Sequence, residues 1–424
     1  MKFPIDYSAR LLSISDRLTD RRVPVIFSLI HLAHATAVDW AQLRAFIKRK
    51  GNFYQVFEIK KRTGGSRRIC VPEPALKRVQ TWIHANILCS QGALALLHRA
   101  SSAYAPGASI VKNAEQHTGA TWIVKLDIKD FFESISERQI YWVFRELGYS
   151  ALLSFEMARI TTRVIPRRKD GTRRHRETMW RWTNSTDQNY SIYRFVRALG
   201  HLPQGAPTSA ILANLAVRKL DLQIQTIAER HSATYTRYAD DIVLTLRDGS
   251  RSQCADIYRC VAAAITHAGF RINNRKSRIS GPGSRKVVTG LVVTQDGPRL
   301  PKRYRESIKL ALYHIKKHGL LSHAERCGHK DPLGYLNHLH GQIHFARAVE
   351  HEFGQWALEE LHAAMNCHLN LSLVPSFHRT SRIPSLKLGE KPIDKGATKR
   401  QKVLTFGTFK PRMRAKASRG RMRP

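Results

Sequence analysis

The chain has 424 residues, enough for two or three domains, and sets 71 Lys+Arg against 32 Asp+Glu, a formal charge of +39. A folded protein so unbalanced repels itself unless a polyanion is present, so nucleic acid is the expected partner. The six cysteines form no C-x-x-C pair and Cys327-Gly328-His329 is too sparse for a zinc site, so they read as the reduced core or surface thiols of a cytoplasmic protein.

Residues 1–50 carry apolar residues at helical spacing. The N-terminus lacks the apolar core of a signal peptide. The apolar stretch 23–38 holds His31 and His34, is too short to span a membrane, and reads as a packed helix. Residues 53–73 switch to strand character around Gly64-Gly65, the signature of a hairpin. A helix is expected from 75 to about 90. Residues 101–120 are small and polar. Thr121 to Asp127 reads as a buried strand ending in an acid, and a helix is expected beyond it, up to about 163.

Residues 163–201 are irregular and rich in arginine, and read as a basic surface insertion. A helix is expected from near Pro207 toward Arg230, with Leu202-Pro203-Gln204-Gly205 as the loop before it. Two strand-forming runs then flank Asp240-Asp241. A helix over about 252–268, a strand around 270–272 and another over 287–293 follow. Residues 301–370 read as helical. Ile308, Leu312 and Ile315 share one face, while Arg305, Lys309 and Lys316 occupy another, a layout suited to a duplex backbone. From about 374 the sequence is a basic tail, with Arg412 and Arg414 among its cations, expected to order on phosphate.

The chemistry is concentrated in the acids. Two adjacent aspartates at a strand turn repel each other unless a cation neutralises them. Asp127, at the end of its own strand, is the candidate third carboxylate. Three carboxylates suit two Mg2+ ions, which activate an attacking hydroxyl and stabilise a leaving pyrophosphate. Such chemistry is nucleotidyl transfer.

In this order the motifs resemble those of the reverse transcriptases. Tyr238-Ala239-Asp240-Asp241 matches the Y-x-D-D hairpin, Leu126-Asp127-Ile128-Lys129-Asp130-Phe131-Phe132 the first acidic motif, and Pro203-Gln204-Gly205 the template and nucleotide loop. Ile272-Asn273-Asn274-Arg275-Lys276-Ser277 is similar to a later lysine motif, and Gly64-Gly65-Ser66-Arg67-Arg68-Ile69 to the fingers hairpin. Asn113-Ala114-Glu115-Gln116-His117 and Val288-Thr289-Gly290 resemble the N-A-x-x-H and V-T-G signatures of bacterial retron enzymes.

The resemblance implies roles. Asp127 and Asp240 would be the main metal ligands, with Asp241 assisting and the Ile128 backbone carbonyl adding an oxygen. Lys60 and Arg67 would grip the triphosphate. Phe132 would block a ribose 2′-hydroxyl, Gln204 would contact nucleotide and template, and Lys276 would serve the pyrophosphate. RNA contacts would fall to Asn113, His117, Val288, Thr289 and Gly290, and on the residue pattern also to Arg305, Lys309, Lys316, Arg412 and Arg414.

The implied fold is an α+β right hand. An N-terminal helical segment (1–50) would precede fingers and palm (51–300), a helical thumb (301–373) and the basic tail (374–424). The implied activity is RNA-directed DNA synthesis on a cognate structured noncoding RNA, with dNTPs as substrates and an RNA–DNA hybrid as product. A role in antiphage defence with an effector or toxin protein, away from membranes, goes with it. Two other readings are a non-retron defence reverse transcriptase making long or repetitive cDNA, and a catalytically silent RNA-binding scaffold. Residues 163–201 and the tail depart from a compact retron enzyme, and Ala210 stands where related sequences often have proline.

Overall fold

The computed structural model describes residues 5–49, 51–60, 64–164 and 199–369. Most of the expected basic insertion, and the tail with Arg412 and Arg414, lie outside the described residues. The N-terminal segment forms α1 (Ile5–Asp20), α2 (Leu29–Thr36) and α3 (Trp40–Lys48). The helix expected over 23–38 begins only at Leu29. Pro24 disfavours helical backbone at Val23, and Ser28, in extended conformation, caps α2 by accepting the His31 N–H.

The fingers hairpin is as expected: β1 (Tyr54–Lys60) pairs antiparallel with β2 (Ser66–Pro72). Behind it α4 (Pro74–Trp82) runs into a π-helical stretch, Ile83–Leu88. Two short helices follow, α5 (Gln91–Ala95) and α6 (Ile110–Glu115), the latter inside the segment read as small and polar.

The palm is a four-stranded antiparallel sheet in the order β4 (Thr234–Tyr238), β5 (Asp241–Leu246), β3 (Trp122–Asp127), β6 (Arg278–Ser280). Strand periodicity divides its residues between two faces. Val124, Leu126, Ile242, Leu244 and Leu246 enter the main core. Ile123 and Val243, on the opposite face, join a second core with the C-terminal helices. That same face carries Lys125, Asp127 and Asp241 farther along.

Helices α7 (Phe131–Ser134), α8 (Glu137–Glu146) and α9 (Ala151–Thr161) follow β3. The helix expected from 207 to 230 is two, α10 (Ser209–Ala216) and α11 (Arg218–Arg230), because Val217 departs from helical backbone at φ −98°, ψ 6°. α12 (Arg251–His267) packs against β3. The strand expected at 270–272 is reduced to one bridge, Ile128 to Ile272, and the chain enters the sheet only at β6. The strand expected over 287–293 is a hairpin, β7 (Lys286–Val288) and β8 (Leu291–Val293), continued by β9 (Pro298–Arg299). Thr289 (φ 46°) and Gly290 (φ 89°) form its two-residue turn, the left-handed geometry that tight hairpins prefer.

The thumb region is three helices, α13 (Lys302–Arg326), α14 (Pro332–Val349) and α15 (His351–Leu369), with α13 bent at Gly319 (φ 78°). Ile308, Leu312 and Ile315 are buried, as their spacing predicts. Among the described residues no helix is long and apolar enough to cross a membrane, and Cys70, Cys89, Cys254, Cys260 and Cys327 are free thiols.

Candidate active site

Three acids meet at one end of the palm sheet. Asp127, the last residue of β3, is the register partner of Asp241, the first of β5. Asp240 precedes it in the two-residue loop Ala239-Asp240, and its carbonyl accepts the Ile128 N–H at 2.9 Å. The acidic hairpin is therefore tied to the residue after Asp127.

The loop is strained. Ala239 sits at φ 56°, which costs a non-glycine residue roughly 1–2 kcal/mol. A buried guanidinium holds it there. Arg237 Nη1 donates to the Ala239 carbonyl and to Asn214 Oδ1, both at 3.1 Å. Its Nε and Nη2 donate to the two oxygens of Asp221 at 2.7 Å each, and Nη2 also reaches Ser101 Oγ. Tyr235 donates its hydroxyl to Asp221 Oδ1 at 2.7 Å. Arg237 and Asp221 are both 0% exposed, so this pairing is what makes their burial tolerable.

Two lysines lie on the acids. Lys276 Nζ is 2.9 Å from Asp127 Oδ2, and Lys125 Nζ is 2.6 Å from Asp241 Oδ2. Asn273 donates from Nδ2 to Asp127 Oδ1 at 2.9 Å, and Ser277 Oγ accepts the Asp127 N–H. Burial, then the nearby Asp127 charge, pushes the Asp240 carboxyl up. Burial also raises Asp241, against the pull of Lys125. The hydrogen bond to Asp127 raises Lys276.

Among the described residues no three carboxylate, histidine or cysteine side chains already converge on a single metal position. The donor chemistry nevertheless fits hard cations. All three acids offer oxygen, their ionised forms repel one another, and Asp241 Oδ1 is buried with no hydrogen-bond partner among the described residues.

The other expected residues separate into two groups. Near the acids, Phe132 is half-buried, with its ring 5.5 Å from Phe131 and 6.2 Å from Tyr104. The Gln204 carbonyl accepts the Cys70 N–H at 2.7 Å, which docks its loop on β2. Gly205 is needed for that approach: at φ 111°, a Cβ there would lie 2.9 Å from Ile69 Cγ2. Arg67 is exposed and shares the Ile69 face of the hairpin. Lys60 pairs with Ser66 while Ile59 pairs with Arg67, so the two cations expected to grip the triphosphate stand on opposite faces of the hairpin.

Away from the acids, several expected RNA contacts are buried in the fold. Asn113 and His117 are each 1% exposed. His117 bridges β5 and β4 through Thr245 Oγ1 (2.8 Å) and Thr236 Oγ1 (2.7 Å), and burial pushes its pKa down to about 4. Val288 is fully buried, and Thr289 donates its hydroxyl to the Ile110 carbonyl of α6, so only Gly290 of that triplet is exposed. The two signature strings are thus neighbours in space.

The three thumb cations have partners on α15 and at Glu350 just before it. Arg305 pairs with Glu350 and lies over Phe353, Lys309 lies over Trp356, and Lys316 pairs with Glu360. All three cations remain exposed while making these contacts within the chain.

Lys125, Asn273, Tyr104 and Arg237 were not expected. Lys125 was accessible in principle, because it stands two residues before Asp127 on one strand and so shares its face.

Residues 59–287 match the family described as reverse transcriptase (RNA-dependent DNA polymerase). The chain is 30% identical over 301 residues to the retron Ec86 reverse transcriptase of Escherichia coli, covering 70% of this chain and 81% of that one. It is 30% identical over 303 residues to the retron Mx162 reverse transcriptase of Myxococcus xanthus, covering 68% of this chain and 58% of the other. Against the retron Ec83 reverse transcriptase of Escherichia coli the identity is 28% over 308 residues, with 72% and 86% covered.

Proposed function

The chain belongs to the reverse transcriptase family, as an RNA-directed DNA polymerase of the retron type, and from that premise we propose that it copies part of one cognate structured noncoding RNA into DNA in antiphage defence. RNA template and dNTPs are the substrates of such enzymes, and the family works with divalent metals. We assign the metal to two Mg2+ ions held by Asp127 and Asp240, with Asp241 and the Ile128 carbonyl assisting. When bound, they supply activation of the primer hydroxyl and charge relief for the departing pyrophosphate.

The protein's own groups do the rest. Lys276 stays protonated beside Asp127 and meets pyrophosphate charge. Lys125 holds Asp241. Phe132 stands against a ribose 2′-hydroxyl. Arg67 takes the triphosphate, a role its shared face with Ile69 supports better than it does for Lys60. Gln204 and Gly205 carry template and nucleotide against β2. Synthesis begins on a 2′-hydroxyl of the RNA itself and leaves branched, RNA-linked DNA, which an effector protein then reads.

The observation that carries this reading is the Asp127–Asp241 register, with Asp240 tied beside it, in a chain of this family. Sequencing the RNA and DNA that co-purify with the protein tests it. The expected product is a DNA joined to one RNA species through a junction that debranching enzyme cleaves. Long repeated cDNA with no branch would move the chain to another class of defence enzyme.

A further inference from the structure

We infer that Tyr104 is a positioning residue for the sugar pocket, holding the Phe132 ring and through it the choice of deoxyribonucleotide over ribonucleotide. The inference rests on the polymerase reading above and extends it to a residue outside the motifs.

The backbone leading to Tyr104 is fixed. Arg237 N–H donates to the Ala100 carbonyl at 2.7 Å, and Ser102 N–H donates to the Arg237 carbonyl at 2.9 Å, forming a parallel bridge along β4. Asn214 Nδ2 donates to the Ala103 carbonyl at 2.7 Å, and Ala103 is fully buried. Segment 100–103 is therefore strapped to β4, the strand that leads into the acidic hairpin, and to α10 through Asn214.

Tyr104 then turns sharply, at φ 62°. A bulky side chain in the left-handed region costs about 1–3 kcal/mol, and such strain persists only where the surroundings impose it. The imposed turn sets the ring 6.2 Å from Phe132 and 6.3 Å from Tyr238, both within the range of aromatic pairing. At 43% exposure, part of the residue still faces solvent. Its phenol is raised by burial and by Tyr238 and Asp240, and lowered by Arg67, so it lies within reach of both the acidic hairpin and the fingers.

A ring excludes a 2′-hydroxyl only if it does not yield. Phe132 meets Phe131 at 5.5 Å and Tyr104 at 6.2 Å. Phe131 is core and stays in place. Without Tyr104, Phe132 gains room to swing, and an extra hydroxyl is accommodated.

The test uses Tyr104→Gly, which removes the ring and suits the left-handed backbone, so folding is not at issue. Extension of a primed RNA template is measured with dNTP and with rNTP for wild type, Tyr104→Gly, Tyr104→Phe and Phe132→Ala. Tyr104→Gly is expected to lower the dNTP/rNTP ratio of kcat/KM roughly tenfold or more, and Tyr104→Phe to retain the wild-type ratio. In a Phe132→Ala background, Tyr104→Gly should add nothing further. An unchanged ratio in Tyr104→Gly, or the same loss with and without Phe132, overturns the inference and leaves the polymerase intact. A wild-type protein that extends no primed template overturns the polymerase reading and this one with it.

Discussion

Asp127 and Asp241 face each other as register partners of β3 and β5, yet each is matched to a different lysine, Lys276 for the first and Lys125 for the second. The two lysines differ in setting. The Lys125 side chain is 15% exposed and lies within the sheet, whereas that of Lys276 is 59% exposed and comes from a loop. Lys125 is thus a built-in counter-ion, and Lys276 is the one with freedom to leave.

Replacing Asp240 and Asp241 together with alanine should abolish dNTP incorporation while RNA binding persists. Removing two carboxylates forfeits several kcal/mol of charge stabilisation, on the order of a thousandfold in rate or more. Primer extension beside a filter-binding assay checks it; undiminished synthesis would overturn the metal assignment.

Lys125→Met should destabilise the fold by about 2–4 kcal/mol, because Asp241 is left as a poorly hydrated carboxylate without its cation. Adding Asp241→Asn should recover much of that stability without restoring synthesis. Urea midpoints for the single and double variants decide the matter, and equal midpoints would show that the pair contributes nothing.

Arg237→Met leaves Asp221 buried and unpaired and should cost about 3–5 kcal/mol. The double variant Arg237→Met with Asp221→Leu should regain stability but not activity, since nothing then holds the Ala239 carbonyl. A double variant with wild-type kcat would show that the strained loop holds itself.

His117 gives a pH dependence of definite sign. Its folded-state pKa of about 4 lies below the ordinary 6.5, so the unfolded chain takes up the proton first as pH falls. The stability it contributes is complete above 6.5 and is lost progressively toward 4, reaching roughly 2 kcal/mol by about pH 5. His117→Gln should flatten that part of the urea-midpoint profile relative to wild type. Parallel profiles would exclude His117 as the source.

Much of the catalytic end of the palm was legible because strand periodicity and turn chemistry are local. Asp127 could be assigned to a strand end, and Asp240 and Asp241 to a hairpin, from their neighbours alone. The fingers hairpin was readable from Gly64-Gly65, and the buried face of α13 from Ile308, Leu312 and Ile315. What failed depends on tertiary partners. A histidine after a polar stretch reads the same whether it faces solvent or clamps Thr236 to Thr245. Arg305, Lys309 and Lys316 form a cationic face in sequence, and their partners within the chain, Glu350, Phe353, Trp356 and Glu360, come only with the packing of the C-terminal helices. Tyr104 has no signal in sequence, since its position comes from bonds to Arg237 and Asn214, far along the chain.

The strap at Ala100 to Ser102 has one more consequence. A four-stranded sheet ending at β4 would present a bare row of backbone donors and acceptors, the usual template for pairing with another chain. Here the Arg237 amide and carbonyl are already occupied by Ala100 and Ser102. The strand that bears the acidic hairpin is thereby closed to edge-to-edge pairing at Arg237, whether or not nucleic acid is bound to cover it.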